Sequence, residues 1–269
     1  MMVAGEASSK VAVITGGAQG IGKAIARALY RSGYRVAALD LEAQRESVEA
    51  FEFVTDRDRM AFFGVNLSEP SQVDALAKSV SDWAGTNITA VVNSARFRHR
   101  ADLMSETTES WDGAMSVGVR APFFVSRAFA EHMAPGGSIV NVGSITGRLV
   151  ADESPSYHVS KAGLEQLTKY LAVTLGQRSL RVNCVVPGMI IQERHRAAYE
   201  SNENADYRRT VEASLPGAAP GTEDDVAAAV CFLCSPESSF ISGASIVIDG
   251  AGSLVEQFGL LRRASLGKG

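Results

Sequence analysis

Residues 15–22 read TGGAQGIG, and this glycine-rich run follows the apolar stretch Val11–Thr15 near the start of the chain. An amphipathic stretch, Ile21–Ser32, comes directly after it. A strand, a glycine loop and a helix in this order can hold a pyrophosphate, because glycines let the backbone approach the phosphates and the helix N-terminus offers free N–H groups. The run therefore predicts a dinucleotide site that includes Gly16, Gln19, Gly20, Ile21 and Gly22.

Short β-branched runs alternate with longer amphipathic stretches along the rest of the chain. The predicted strands are Val11–Thr15, Arg35–Asp40, Met60–Val65, Ile88–Asn93, Ser138–Gly143, Arg181–Val186 and Ser245–Ile248. The predicted helices are Ile21–Ser32, Glu69–Ala84, Thr108–His132, Ser154–Gly176 and Glu223–Cys234. Several strands are apolar throughout, as strands covered on both faces should be. The pattern predicts one α/β domain over residues 1–269, with a doubly wound, seven-stranded parallel sheet flanked by helices.

Composition excludes several classes of partner. The chain has 269 residues, 46% of them hydrophobic and 21% charged, and a net charge of −4. A negative net charge gives no overall basic field to attract nucleic acid or anionic lipid. No run approaches the ~18 apolar residues of a membrane span, and residues 1–10 lack the apolar core of a signal peptide. We therefore expect a cytoplasmic protein that binds neither nucleic acid nor a membrane.

The three cysteines, Cys184, Cys231 and Cys234, are too few and odd in number for a disulfide framework. Cys231 and Cys234 form a single CxxC inside an apolar helical run. A metal or redox role needs a second ligand pair or a reactive setting. We expect buried helix cysteines and no metal site.

The choice of cofactor depends on Asp40, which ends the second predicted strand about 20 residues beyond the glycine loop. A carboxylate in this register can accept hydrogen bonds from the adenosine ribose and would repel a 2′-phosphate. The next residue is Leu41, and the loop carries Gln19 in place of a basic residue. NAD(H) is therefore predicted in preference to NADP(H).

A candidate proton donor lies on the predicted helix Ser154–Gly176. Tyr157 and Lys161 are four residues apart and share a helix face. Free tyrosine has a pKa of about 10, and a nearby cation favours the phenolate. Ser144 follows an apolar strand, and its hydroxyl could orient a substrate oxygen. Together with the glycine loop, Ser144, Tyr157 and Lys161 predict hydride transfer between a nicotinamide and an alcohol or ketone.

These motifs resemble those of the short-chain dehydrogenase/reductase family, in its single-domain branch, from Lys10 to Gly252. The matching stretches are TGGAQGIG at 15–22, Asp40, NSA at 93–95, Ser144, YHVSK at 157–161, Pro187-Gly188 and IVIDGAG at 246–252. The resemblance implies a Rossmann-like sheet, Tyr157 as proton donor and acceptor, Lys161 on the nicotinamide ribose and Ser144 beside the substrate. It also implies a homodimer or homotetramer. Further cofactor contacts are implied for Asn66, Leu67, Asn93, Ala95, Pro187, Gly188 and Ile190.

Several positions depart from the family pattern. Gly118 stands where the family usually has an asparagine that supports the water of a proton relay behind the lysine. Water in the vacated volume or a backbone carbonyl could replace that amide, or the relay is impaired; we expect a slower proton step with the reaction retained. Arg96 stands where the family usually has glycine, and Gln192 replaces the usual threonine after Pro187-Gly188.

Basic residues gather in three loops at the predicted carboxyl ends of the strands, where ligands of such sheets bind. They are Arg96, Arg98, His99 and Arg100, then Arg148, then Arg194, His195 and Arg196. Arginine is suited to capturing carboxylates and phosphates. A small polar substrate, specifically an acidic or phosphorylated hydroxy or keto compound contacted by Arg96, Arg148 and Arg194, is one hypothesis, and solvated loop charges are the alternative.

Two further segments are assigned from their position. The polar segment 192–221 is predicted to be a lid inserted over the site. The tail 256–269 is expected either to pack on a neighbouring subunit or to be disordered.

The leading function is an NAD(H)-dependent alcohol dehydrogenase or ketoreductase. The alternatives are an epimerase or dehydratase with bound NAD, and a cofactor-binding regulatory protein that Gly118 and Arg96 would favour.

Overall fold

The computed structural model describes residues 10–85, 88–217 and 219–266. Its strands are β1 (Val11–Thr15), β2 (Arg35–Asp40), β3 (Met60–Gly64), β4 (Ile88–Asn93), β5 (Met133–Val142), β6 (Arg181–Pro187) and β7 (Ser245–Ile248). Its α-helices are α1 (Gly20–Arg31), α2 (Arg45–Glu49), α3 (Ser71–Ala84), α4 (Thr108–Met115), α5 (Ala121–Ala130), α6 (Pro155–Gly176), α7 (Glu193–Glu200), α8 (Ala205–Ser214), α9 (Glu223–Cys234) and α10 (Gln257–Leu266).

The seven strands form one parallel sheet in the order β3-β2-β1-β4-β5-β6-β7. The sheet confirms the predicted doubly wound α/β fold. From β1 the chain first builds outward to β2 and β3 and then returns to place β4 on the other side of β1. This reversal leaves a crevice between the carboxyl ends of β1 and β4, where ligands of such folds bind.

Helices cover both faces of the sheet, which is why its central strands are apolar throughout. In β1, Ala12 and Ile14 pack with α1 and α9 in one core cluster, while Val11 and Val13 pack with α3 and α5 in the other. All four side chains are fully buried. Successive strand side chains point to opposite faces, so a continuous apolar run supplies both cores.

The predicted helix Thr108–His132 is divided by a π-helical turn, Ser116–Arg120, between α4 and α5. Pro122 has no N–H and cannot donate to the carbonyl of Gly118, four residues before it. The N–H of Ala121 instead reaches back five residues to the carbonyl of Ser116. The wider turn places Gly118 next to Ser160 of α6.

The start of the fifth strand also differs from the prediction, by more than the one or two residues found at other boundaries. The fifth strand begins at Met133, five residues earlier than predicted, because Met133 pairs with Ile88 before a register shift brings Ser138 opposite Ala90. Residues 257–266 of the tail form α10, which contacts α8 of the same chain, so the expectation of a disordered tail is wrong for this part. Residues 267–269 lie outside the described residues.

The cysteines lie where an apolar helix and strand would place them. Cys184 and Cys234 are buried, and Cys231 is partly buried. Burial raises the pKa of Cys184 and of Cys234 to about 12 and that of Cys231 to about 11. Such thiols carry little thiolate at neutral pH and are poor nucleophiles. In the described part of the chain, no helix has both the length and the apolar character needed to cross a bilayer.

Phe129 belongs to the core on the α3–α5 face, which should contribute strongly to stability. Phe129 is 0% exposed, whereas Phe240 is fully exposed. We expect Phe129→Ala to lower the free energy of unfolding by about 3–5 kcal/mol, because it removes buried contacts and leaves a cavity. Phe240→Ala, the same change at the surface, should alter it by no more than about 0.5 kcal/mol. Urea denaturation of both variants checks this, and equal losses would contradict the assigned core.

Candidate active site

The glycine loop occupies the crevice at the carboxyl ends of β1 and β4. Gly16 has a φ of +67° and its N–H donates to the carbonyl of Leu39 at 2.8 Å. A Cβ on Gly16 would lie 2.7 Å from the Cα of Ala95, and a Cβ on Gly22 would collide with the carbonyl oxygen of Gly16. Both positions therefore need glycine, and the backbone of the loop is left open to a ligand.

Polar side chains at the strand ends hold this loop in place. The carboxylate of Asp40 accepts from the N–H of Ala18 at 3.1 Å and from that of Leu41 at 2.9 Å. The Thr15 hydroxyl oxygen accepts from the N–H groups of Ser94 and Ala95 at 3.1 and 3.2 Å. Asp40 thus lies beside the loop, at the position expected for a partner of the ribose hydroxyls.

Three other predicted cofactor residues make contacts within the protein. The Asn93 amide is buried and donates to Asn141 Oδ1 at 2.8 Å and to Ser126 Oγ at 3.2 Å. Leu67 is buried in the core, and Asn66 Oδ1 accepts from the backbone N–H and hydroxyl of Ser68. Their predicted cofactor contacts stay predictions.

The segment after β6 approaches the glycine loop from the other side. Gly188 donates to the carbonyl of Ile248 at 2.9 Å, and Ile190 forms an isolated bridge with Gly221. Beyond them, Gln192 reaches Gly20, where a Cβ would lie 2.7 Å from Gln192 Oε1. This buried oxygen has no hydrogen-bond partner among the described residues. An unpaired acceptor beside a glycine cradle fits a bound dinucleotide that brings its own donor.

The three predicted catalytic residues come from β5 and α6. Lys161 is 4% exposed, and its Nζ donates to the carbonyl of Val142 at 2.7 Å and lies 5.5 Å from the centroid of the Tyr157 ring. Ser144 begins the turn Ile145–Gly147, and its Oγ accepts from the N–H of Thr146 at 3.3 Å. A Cβ on Gly147 would lie 2.8 Å from the backbone nitrogen of Ala162, so this turn packs directly on α6 beside Lys161.

Comparison with known proteins identifies the family. A family model described as enoyl-(acyl carrier protein) reductase matches residues 16–252. A probable galactose dehydrogenase from Rhizobium meliloti is 36% identical over 245 residues, which cover 88% of this chain and 93% of that protein. A D-threitol dehydrogenase from Mycolicibacterium smegmatis is 32% identical over 243 residues, covering 90% of this chain and 92% of that protein.

The chain belongs to the short-chain dehydrogenase/reductase family.

A solved structure supports the same assignment. The crystal structure of a blue fluorescent protein from a metagenomic library, in complex with NADPH, superposes with a TM-score of 0.79 at 29% identity. The match covers 91% of this chain and 98% of that one. The family resemblance and the prediction of an oxidoreductase are confirmed, and the family uses a nicotinamide cofactor.

Within this family member, the three arginines predicted to bind substrate make different contacts. The guanidinium carbon of Arg96 lies 5.3 Å from the centroid of the Tyr157 ring, within cation–π range. Arg148 instead forms a two-pronged ion pair with Glu165, through Nε at 3.0 Å and Nη2 at 2.6 Å. These hydrogen bonds raise the pKa of Arg148 and hold its Nε and Nη2 on Glu165.

The third arginine, Arg194 on α7, lies over the glycine loop. Its Nη1 donates to Gln19 Oε1 at 3.0 Å, and Nη2 of Arg98 donates to the same oxygen at 2.8 Å. Burial, and then repulsion by Arg98 and Arg96, lower the pKa of Arg194. Two cations, Arg98 and Arg194, therefore share one neutral oxygen of the loop, and Arg96 is close enough to Arg194 to repel it.

Glu106 is a site residue that sequence reasoning missed. Its side chain is 9% exposed and accepts from Ser156 N at 3.3 Å and Ser156 Oγ at 3.0 Å, at the N-terminus of α6. Ser110 Oγ donates to its other oxygen at 2.5 Å. Burial raises the pKa of Glu106, but the hydrogen bonds from Ser110 and Ser156 outweigh it, so the pKa lies below its usual value. Only the tertiary fold brings Glu106 to the catalytic helix.

The structure also explains why Gly118 differs from the asparagine that the family usually has at this position. A Cβ at this position would lie 2.8 Å from Ser160 Cβ and 2.9 Å from Ser160 Oγ, on the helix that carries Tyr157 and Lys161. The glycine allows the π turn to approach α6 closely, and an asparagine here would force the two helices apart. In the described part of the chain, no group of three or more histidine, cysteine or acidic side chains is arranged to hold a metal ion.

Proposed function

We propose that this protein is an NAD(H)-dependent oxidoreductase that interconverts a secondary alcohol and a ketone on a small polar molecule. The observation that carries the proposal is the buried Lys161 amine 5.5 Å from the Tyr157 ring, beside the turn that begins at Ser144. The similarity to proteins named galactose dehydrogenase and D-threitol dehydrogenase supports a polar, hydroxylated substrate.

Each of the three residues has a distinct task in this reaction. In oxidation, the phenolate of Tyr157 takes the proton from the substrate hydroxyl as hydride leaves the same carbon atom. The Lys161 ammonium favours the phenolate because an opposite charge stabilises it. The hydroxyl of Ser144 donates to the substrate oxygen and orients it. A bound nicotinamide accepts the hydride in oxidation and supplies it in reduction.

The charge of Asp40 supports NAD(H) over NADP(H). Its carboxylate accepts from the N–H groups of Ala18 and Leu41, which hold it beside the glycine loop. A 2′-phosphate placed against it would be repelled. The relative that is bound to NADPH shows that the fold also accepts the phosphorylated cofactor, so the choice depends on local charge.

In this proposal, Arg98 and Arg194 bind the cofactor and Arg96 binds the substrate. Arg98 and Arg194 both contact Gln19 of the glycine loop, where a pyrophosphate is expected, and an anion there would relieve their mutual repulsion. This favours the pyrophosphate as the partner of Arg194, in place of the substrate predicted from sequence. Arg96 lies at the ring of Tyr157 and is the cation best placed to meet an acidic group of the substrate.

No specific observation favours the epimerase, dehydratase or regulatory alternatives. The homodimer or homotetramer and the cytoplasmic location stay predictions, and the segment 192–221 keeps its assignment as a lid because α7 carries Arg194 to the glycine loop.

The first test removes the proton donor. Tyr157→Phe keeps the ring and loses the hydroxyl, so turnover should fall by about 10²–10⁴-fold while NADH still binds. Absorbance of the reduced nicotinamide reports turnover on a panel of sugars, polyols and hydroxy acids, and fluorescence titration reports binding. Wild-type turnover in this variant would overturn the assigned chemistry.

The second test concerns the cofactor. In a fluorescence titration we expect NADH to bind more tightly than NADPH. Asp40→Asn keeps the size of the side chain but removes its charge, so NADPH affinity should rise about tenfold, as expected for the loss of one repulsive pair of about 1.4 kcal/mol. Asp82→Asn, a surface change in an ion pair with Lys78, serves as the control. Tighter NADPH binding to the wild type would refute the NAD(H) assignment.

The third test separates the arginines. Arg194→Ala should weaken NADH binding about tenfold through loss of a charge-assisted contact with the pyrophosphate. Arg96→Ala should leave NADH binding unchanged and raise KM for an acidic hydroxy compound, but not for an uncharged alcohol. Arg127→Ala, which breaks a surface ion pair with Asp74, is the control. Equal effects of Arg96→Ala on charged and neutral substrates would exclude its role in acid recognition.

A further inference from the structure

A small cavity borders the catalytic pair on the side where Gly118 lacks a side chain. Its volume is about 10 Å³ and its lining includes Tyr157, Lys161, Gly118, Ser154 and His99. This is about the room that one water molecule needs. The hydroxyl of Ser154 and the imidazole of His99 give such a water polar partners.

One ring nitrogen of His99 lacks a hydrogen-bond partner that a water molecule could supply. Its Nε2 is buried and has no hydrogen-bond partner among the described residues. The Glu106 carboxylate lies 3.8 Å away, which is too far for a hydrogen bond. The His99 side chain as a whole is 30% exposed, so the ring extends from the buried nitrogen to the protein surface. A water in the cavity would satisfy the nitrogen.

Glu106 is connected to the cavity by two routes. One is its proximity to His99. The other is a pair of hydroxyls, because Ser156 Oγ donates to Glu106 at 3.0 Å and lies 3.3 Å from Ser154 Oγ, which lines the cavity. A negative charge held at this position stabilises a positive imidazolium next to it.

We propose that His99, supported by Glu106, carries protons between the Tyr157–Lys161 pair and solvent through a water in this cavity. The inference rests on the proposed function. In oxidation, the proton that Tyr157 has taken from the substrate hydroxyl passes through the water to His99 Nε2, and the imidazolium then releases a proton to solvent. The hydride goes to the nicotinamide, and reduction runs both transfers in reverse. His99 thereby supplies a route that needs no side chain at position 118.

The charges facing His99 oppose one another. The negative charge of Glu106 lies 3.8 Å from Nε2, and the positive charges of Arg96 and Lys161 line the same cavity. A proton carrier must both accept and release, and histidine does so close to neutral pH. Tyr157 is the remaining titratable group on the cavity wall.

The kinetic test uses His99→Gln, which keeps a polar side chain but cannot carry a proton. We expect kcat to fall about tenfold or more, with KM and NADH affinity unchanged, and added imidazole to restore part of the rate. His132→Gln, the same change at the end of α5, is the matched control. An unchanged kcat, or a loss that imidazole does not restore, would overturn the proposal.

A second measurement does not need activity. NMR titration of the histidines, with the His99 signal assigned from His99→Gln, follows its protonation midpoint in the wild type. Glu106→Gln should lower that midpoint and Lys161→Met should raise it, each by about half a pH unit or more. A midpoint that responds to neither change would overturn the shared cavity.

The two measurements separate the two levels of the proposal. If the wild type turns over its substrate but His99 fails these tests, the proton route is wrong and the proposed function stands. If the midpoint responds as expected while no alcohol or ketone is converted, the proposed function fails and the coupling of His99 to Lys161 and Glu106 is retained.

Discussion

The backbone of Gly16 lies so close to Ala95 that a side chain at position 16 would have no room. This contact joins the loop after β1 to the loop after β4, the two strands between which the sheet reverses its direction of growth. Asp40 and Thr15 fix the same loop from β2 and from β1 itself. The crevice is therefore a consequence of topology, and its openness to a phosphate follows from the glycines. Arg98, Arg194 and Gln192 all contact or approach this loop.

The second constraint is the position of α6. Its N-terminus receives the buried Glu106 carboxylate through Ser156, where negative charge is stabilised by the helix dipole. One turn further on, the Lys161 amine is buried and donates to the carbonyl of Val142 at the end of β5. The helix is thus tied at one end to the loop after β4 and along its length to β5. Tyr157 lies between these two attachments, so its hydroxyl is positioned by the sheet rather than by a flexible loop.

The strands and most helices were predictable because apolar runs and amphipathic stretches indicate burial directly. The glycine loop and the Tyr157–Lys161 pair were predictable because their residues are close together in the sequence. The π turn was missed, although Pro122 inside an apparently continuous helix pattern was the available signal. Arg148 was assigned to substrate from its residue type, whereas its guanidinium is held by Glu165, a partner on α6 that no local pattern indicates. Glycine at position 118 indicated a vacated volume, but Glu106 and His99 had no sequence signal, since their positions depend on contacts between segments brought together only in the fold.

The departures from the family pattern are related to one another in space. Gly118 and Arg96 are far apart in sequence, yet both line the cavity beside Tyr157 and Lys161. Gly118 leaves this small volume without a side chain, whereas Arg96 adds a long, charged one. Arg96 places a second cation against the Tyr157 ring, in addition to Lys161. A site that had simply lost its relay asparagine would leave an unfilled gap between α5 and α6, but here the π turn closes on Ser160. The remaining space is the size of a water molecule and is faced by a histidine. The simplest physical account is that these residues form one alternative arrangement for moving the same proton.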